Sequence, residues 1–353
     1  MLISNGDRIE GLIKDTMEQK EKIKLGHGSG GRMSQELFES LFQPLFSNEY
    51  LNEAHDGAIL KMGDNRIAFS TDSFVVKPLF FPGGNIGDLA VNGTVNDVTM
   101  CGADPQFISA GFILEEGFPI VQLQQIVTSM QTAAEKAGVL LVTGDTKVVE
   151  RGSADGVFIN TSGIGVVRRN VSISPKNARE GDVILINGRI AEHGIAVMTK
   201  REGMEFESSI LSDCMALNKM VGAILDETDD VHVLRDPTRG GIAATLNEIA
   251  QSSSKGIDLI ENKIPLDDQV KSVSSILGLD PLYIANEGKV LVIVAEKSAD
   301  KVLETMKQFY EGRESAIIGR ITNNHPGRVV METSIGTKRI VDMPSGEQLP
   351  RIC

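Results

Sequence analysis

Two successive blocks of short apolar runs and amphipathic stretches meet at a polar, Pro- and Gly-bearing joint, Pro175 to Asp182. In the first block, Ala58-Ile59-Leu60 and Ile67-Ala68-Phe69 flank Gly63-Asp64-Asn65, a hairpin signal. The periodicity then predicts a helix over 86–101 and a strand from Phe107 to Leu114. A helix over 119–137, a strand Val139-Leu140-Leu141-Val142 and a strand over 156–167 complete the block. The second block reads as strand 183–187, helices near 192–201, 209–226 and 240–252, strand 257–260, helix 266–277, strand 289–295 and helix 299–310. Short strands near 328–331 and 337–341 follow. No short period recurs, which disfavours a solenoid. The 353 residues suit two domains rather than one. The expected fold class is therefore α+β, with an N-terminal extension at 1–23, domains at 24–174 and 175–342, and a mobile tail at 343–353.

Charge narrows the function classes. Thirty-five Lys+Arg against 48 Asp+Glu give a net charge of −13, which argues against nucleic-acid or anionic-membrane binding. Aromatics at 5% with no Trp make a base-stacking platform a poor fit. An anionic substrate then needs local help from a metal, a Lys or a helix N-terminus. No apolar run approaches the roughly 18 residues of a membrane helix, and the N-terminus lacks the basic start and apolar core of a signal peptide. Three distant cysteines, Cys101, Cys214 and Cys353, form no disulfide framework. The expectation is a reduced, cytoplasmic protein.

Several segments carry potential chemistry. Gly26, Gly28 and Gly31 satisfy G-x-G-x-x-G literally, but no strand precedes them and no βαβ unit follows. The segment is either a plain flexible loop or a flap whose backbone N–H groups approach phosphate. His27 is either a phosphate contact or a loop residue without a role. Asp56 precedes one apolar run, Asp72 ends another, and Asp145 follows a third in Thr143-Gly144-Asp145-Thr146-Lys147. Carboxylates at strand ends could hold Mg²⁺, which takes oxygen ligands alongside substrate phosphates; singly, each reads more readily as a turn or cap residue, and only the set shifts the balance. Asp88, Asn92 and Asn96 recur every four residues along one helix face, with Asp97 beside them. That face is either solvated or a polar ligand site. Arg235-Asp236-Pro237-Thr238-Arg239-Gly240-Gly241 opens a helix and offers an anion site in its N–H groups, Thr238 and Arg239.

The chain closes on Pro344-Ser345-Gly346-Glu347-Gln348-Leu349-Pro350-Arg351-Ile352-Cys353, too poor in apolar residues to pack as an element. Eleven residues from Met343 to Cys353 can span roughly 35 Å when extended, enough to enter a distant pocket. A terminal thiol on such an arm reads as a carrier or nucleophile rather than an accident. It is not a prenylation box, since nothing follows the Cys. Cys101 and Cys214 sit in apolar helical contexts and read as core.

Together, Gly26-His27-Gly28-Ser29-Gly30-Gly31, Asn92-Gly93-Thr94-Val95-Asn96-Asp97, Thr143-Gly144-Asp145-Thr146-Lys147, Arg235-Asp236-Pro237-Thr238-Arg239-Gly240-Gly241 and the closing Pro350-Arg351-Ile352-Cys353 resemble the HypE family of hydrogenase-maturation proteins. That family lies within the superfamily built around aminoimidazole ribonucleotide synthetase (PurM-like). The resemblance covers the chain from about residue 24 and implies two PurM-like α+β domains, with the N-terminal sheets pairing across a homodimer into a barrel-like core and ATP near that interface. It implies that a carbamoyltransferase, HypF, loads the terminal thiol as a thiocarboxamide. ATP-dependent dehydration then gives a thiocyanate, and the cyano group passes to iron on a HypC–HypD complex for [NiFe]-hydrogenase. By the same resemblance Asp56, Asp72, Asp97, Asp145 and Asp236 are Mg²⁺/ATP ligands, with Asn92, Thr146, His27 and Gly28 as further nucleotide contacts. Cys353, Lys147 and Glu287 carry the chemistry: Lys147 steadies the developing imidate oxygen and Glu287 accepts an amide proton. Selenophosphate synthetase is a weak competitor because no Cys precedes Cys101, and thiamine-monophosphate kinase has no use for a terminal thiol. A small-molecule ATP-dependent ligase or kinase, or a non-enzymatic tail-thiol scaffold, are the remaining alternatives.

Overall fold

The computed structural model describes residues 22–203 and 210–345. The N-terminal extension up to residue 21 and the tail end, including Cys353, lie outside the described residues. After the glycine-rich loop come two short helices, α1 (Arg32–Leu37) and α2 (Gln43–Phe46), joined by a wider turn at Phe38–Phe42. The N-terminal domain continues as β1 (Ala58–Met62), β2 (Asn65–Phe74), β3 (Phe80–Phe81), β4 (Gly84–Asn85), α3 (Ile86–Met100), β5 (Ala103–Glu115), α4 (Ile120–Ala137), β6 (Leu140–Val149) and β7 (Val157–Val167). The second domain runs β8 (Val183–Ile186), α5 (Glu192–Arg201), α6 (Asn218–Glu227), β9 (Val231–Arg235), α7 (Gly241–Ser253), β10 (Gly256–Ile260), α8 (Asp268–Leu277), β11 (Leu291–Val294), α9 (Glu296–Lys307), β12 (Ala316–Thr322), β13 (Val329–Glu332) and β14 (Lys338–Val341).

The N-terminal sheet has the order β1-β2-β7-β5-β6, antiparallel except for β5 and β6. Its inner face packs on α3, whose apolar residues are buried on every side. Its polar Asn92, Thr94, Asn96 and Thr99 are buried as well, so the helix is enclosed on all sides, by the sheet, by α4 and by the second domain. A capping box starts it: Gly87 N donates to Asn85 Oδ1 at 2.8 Å, and Asn85 N donates to Asp88 Oδ1 at 2.8 Å. α4 stops at Gly138, which takes a left-handed φ of 77°.

Among the described residues, no helix covers the outer face of this sheet. In register, Phe69 opposes Ile164, Ile164 opposes Phe107, and Phe107 opposes Leu140. These four apolar side chains form a row across β2, β7, β5 and β6 with exposures of 39%, 42%, 41% and 64%. β6 is also an edge strand, paired to β5 alone.

The second sheet, order β14-β13-β10-β12-β8-β11-β9, is covered on both faces. Its central strands Val183-Ile184-Leu185-Ile186 and Leu291-Val292-Ile293-Val294 are continuous apolar runs, as two-sided burial demands. Ile184, Ile186, Leu291 and Ile293 enter a core that also holds Phe74, Ile86, Leu89 and Ile108 of the N-terminal domain. Val183, Leu185, Val292 and Val294 enter a separate core under α6 and α9. The first of these cores joins the two domains into one packed unit.

Three expectations needed correction. The helix expected over 209–226 begins only at Asn218; residues 210–217 are a non-helical strap held across α3. There Ser212 N donates to Pro82 O, Asn96 Nδ2 to Met215 O, and Leu217 N to Asn96 Oδ1. Cys214 therefore sits on this strap, half-buried rather than in a helical core, whereas Cys101 is fully buried. Asp72 and Asp145 lie within β2 and β6, not at strand ends, because both strands run on past them. β9, β12 and the β3–β4 ribbon went unanticipated.

Candidate active site

The inner sheet face, α3 and the turn after β9 bring four of the five expected aspartates together. Ser70 Oγ donates to Asp97 Oδ2 at 2.7 Å and to Asp56 O at 2.9 Å, tying β2, α3 and the segment before β1. Alternation along β2 turns Asp72 to the same face as Ser70. Asp236, only 8% exposed, follows β9 directly.

Electrostatics report the crowding. Burial first, and then Asp236, Asp72 and Asp56, push the Asp97 carboxyl well above the usual carboxylate range. Burial likewise raises Asp72 and Asp236, the latter to about 6. Asp56 is pushed well up by burial even though the Arg235 guanidinium opposes this; Arg235 Nε lies 2.7 Å from Asp56 Oδ1. Arg235 also holds Glu248, Nη2 to Oε2 at 2.7 Å. His55, buried beside them, is pushed down to about 3 by burial and then by Arg235, so it is neutral at physiological pH.

Glu287 joins this group from the loop before β11. It is 3% exposed, its Oε1 has no hydrogen-bond partner among the described residues, and burial, then Asp213, Asp72 and Asp236, push its carboxyl well up, with Arg239 opposing. Burying charge of one sign is costly without a compensating cation. Arg235 and Arg239 are the cations in this group, against Asp56, Asp72, Asp97, Asp236, Glu248 and Glu287.

The glycine-rich loop closes one side. Arg239 Nη1 donates to Gly28 O at 2.8 Å. Arg32 N donates to Pro344 O at 3.0 Å, so the root of the tail lies against the loop. Gly31 has φ 121°, and a Cβ there would sit 2.7 Å from Pro344 O; only glycine allows this approach. His27 Nδ1 accepts from Lys24 N at 2.9 Å within the loop.

The remaining expected residues fall elsewhere. Asp145 and Lys147 are on the outer sheet face, paired with each other, Nζ to Oδ2 at 2.6 Å, and both mostly exposed. The Lys147 hydrogen bond is the main reason that the Asp145 carboxyl is lowered. Thr161 and Ala110 separate Asp72 from Gly144 in register, three strand steps of about 14 Å in all, and Asp145 points away from the cluster. With Ser73, Gly111, Phe158 and Asn160 they line a hollow of about 420 Å³ on that face. Thr146 is on β6 and exposed. Asn92 donates from Nδ2 to Cys214 Sγ at 3.5 Å, away from the acids. Along the helix stripe, Asn96 is taken up by the strap and by Glu287 O, 3.2 Å from its Nδ2, whereas Asp88 and Asn92 line a cavity beside Cys214.

Among the described residues no three acidic, His or Cys side chains converge closely enough to enclose a metal on their own. Nor is any described helix long and apolar enough to cross a membrane. Sequence reading passed over Ser70, Arg235 and Glu248 as participants; only Arg235, quoted inside its motif, gave any local signal.

Two family models match: AIR synthase related protein, N-terminal domain, over residues 54–167, and its C-terminal domain over 179–332. Carbamoyl dehydratase HypE of Azotobacter vinelandii is 50% identical over 331 residues, covering 94% of this chain and 97% of that protein. The chain belongs to the HypE family. The Escherichia coli HypE carbamoyl dehydratase is 43% identical over 336 residues, covering 94% of this chain and 99% of its own. Among solved structures, a HypE in complex with ATP matches with TM-score 0.80 and 46% identity over 94% of this chain and all of that one. A HypE–HypF complex matches with TM-score 0.84 and 50% identity over 87% of this chain and 99% of that one. A ThiL structure with AMPPCP and TMP shares the fold, with TM-score 0.69 at 16% identity over 94% of this chain and 99% of that one.

Proposed function

We propose that this HypE-family chain is an ATP-dependent carbamoyl dehydratase acting on its own C-terminal thiol. The observation that carries the reading is a buried carboxylate cluster bordered by a glycine loop that touches the root of a tail ending in Cys353. From Pro344, nine further residues can extend about 30 Å. The tail carries a thiocarboxamide whose amide oxygen attacks the γ-phosphorus of ATP, and ADP departs. Loss of phosphate and two N–H protons leaves the thiocyanate. Attaching the substrate to the chain raises its effective concentration at the site.

Asp72, Asp97 and Asp236 would hold Mg²⁺ through oxygen, with phosphate oxygens completing the shell, and Asp56 stands behind them against Arg235. The donor set fits: it is all oxygen, the chemistry Mg²⁺ takes, and Asp97 has Asp236 and Asp72 as near neighbours. When bound, Mg²⁺ supplies charge neutralisation for phosphoryl transfer. Glu287, with an unbonded oxygen, takes an amide proton. The glycine loop and Arg239 face the phosphates.

The exposed row Phe69, Ile164, Phe107 and Leu140, beside the free edge of β6, supports a homodimer through this face. Exposed apolar patches and bare edges mark association sites. Such a dimer puts Asp145, Thr146 and Lys147 at the interface, where they can complete the partner's site. Ile164→Asp is expected to convert a dimer into a folded monomer in sedimentation velocity. A wild-type chain that sediments as a monomer would rule this arrangement out. HypF as the loading partner, a HypC–HypD complex as the cyanide acceptor and a cytoplasmic location belong to the same reading.

The mass of the C-terminal peptide tests it, after incubation with a carbamoyltransferase, carbamoyl phosphate and MgATP. The expected result is a carbamoyl adduct on Cys353 that loses one water only with hydrolysable ATP. An unmodified thiol with an active partner would favour a small-molecule ligase or kinase. An adduct that never loses water would favour a scaffold.

A further inference from the structure

Glu287 sits in a loop whose backbone is fixed by side chains that have no assigned role. Asn286 Nδ2 donates to Pro237 O at 2.8 Å, Asn187 Nδ2 donates to Gly288 O at 3.0 Å, and Val290 N donates to Asn187 Oδ1 at 2.8 Å. At Glu287 itself the backbone N–H donates to Asp213 Oδ1 at 3.1 Å. The other oxygen, Asp213 Oδ2, is 2.8 Å from Lys289 Nζ, and Glu192 Oε2 lies 3.7 Å from that same nitrogen. The Asp213 and Lys289 side chains are 1% and 6% exposed. The chain at Gly288 passes so close to the strap that a Cβ there would meet Asp213 O at 1.9 Å.

A fully buried ion pair brings little net stability compared with apolar packing. Its place here, with one end on the Glu287 amide and the other two residues further along, suggests another use. We propose that Asp213 and Lys289 are positioning residues for Glu287: Asp213 fixes the Glu287 backbone from the strap, and Lys289 anchors Asp213. The Glu287 carboxyl, whose Oε1 has no hydrogen-bond partner among the described residues, is thereby held toward the aspartate cluster. The inference rests on Glu287 as the proton acceptor.

The test compares two double variants in which neither leaves an unpaired buried lysine. Asp213→Leu with Lys289→Met removes the acceptor for the Glu287 amide; Asp213→Asn with Lys289→Met keeps an oxygen there. The first is expected to lose about 10²-fold in kcat for dehydration of the loaded tail with the KM for ATP unchanged, since small misplacements of reacting groups cost this much. The second is expected to recover most of that loss. Equal kcat values in the two overturn the positioning role, as does a parallel rise in KM for ATP. Should the leucine variant fail to fold, Gly288→Ala pushes the loop off Asp213 without altering either side chain; an unchanged kcat there overturns the proposal too. Glu287→Gln separates the two levels. If it is inactive while the leucine double variant turns over normally, only the positioning role fails. If it keeps full turnover, the proton-acceptor reading fails and takes this inference with it.

Discussion

Asp97→Asn is expected to lower MgATP-dependent dehydration by about 10²–10³-fold, the usual cost of removing one preorganised electrostatic contact, and to raise the thermal stability of the ligand-free protein. The two effects have one cause. Asp97 is pushed well above the usual carboxylate range by burial and by Asp236, Asp72 and Asp56. A carboxyl whose folded pKa lies above its unfolded value binds more protons when folded, so stability falls as pH rises through that window. Toward neutral pH the folded protein therefore carries a penalty that the amide relieves. Ser70 Oγ keeps an acceptor in the carbonyl oxygen of the new amide. Melting curves in chelator should show the variant above wild type at pH 7.5, with the gap closing toward pH 4. MgATP should stabilise wild type by mass action and leave the variant nearly unmoved. A variant less stable than wild type at neutral pH, yet equally responsive to MgATP, would remove Asp97 from the metal site.

Glu287→Gln should reduce dehydration by about 10²–10⁴-fold, the range of a positioned acid–base group. ATP binding should survive, because the change removes a charge from an already acid-rich site. The substituent is near-isosteric, so the cores joining the domains are not disturbed. In wild type the rate should decline on the acid side at a pH above the ordinary carboxylate range, because burial, then Asp213, Asp72 and Asp236, raise this group. Single-turnover measurement on a preloaded tail separates this step from carbamoyl transfer. A Gln variant that dehydrates the tail normally would require another proton acceptor.

The apolar runs Val183–Ile186 and Leu291–Val294 declared buried strands, and the periodicity over 86–101 declared α3, because these depend on neighbours within a few residues. The terminal thiol and its unpackable approach were equally plain in the chain. The strap at 210–217 was not. Its residues have helical periodicity, but Asn96 and Pro82 from the other domain claim its backbone groups.

The sequence by itself determined the two-block α+β plan, the acidic net charge and the motifs that mark its family. Tertiary structure alone decided which aspartates meet. A strand's alternation sends Asp72 inward and Asp145 outward, and that parity is visible only once the register from β2 through β7 and β5 to β6 is known. It also decided that Arg235 already engages Asp56, and that Asp213, 74 positions upstream, supports Glu287. Contacts at such separations depend on how the two sheets and their shared core pack, which no local pattern encodes.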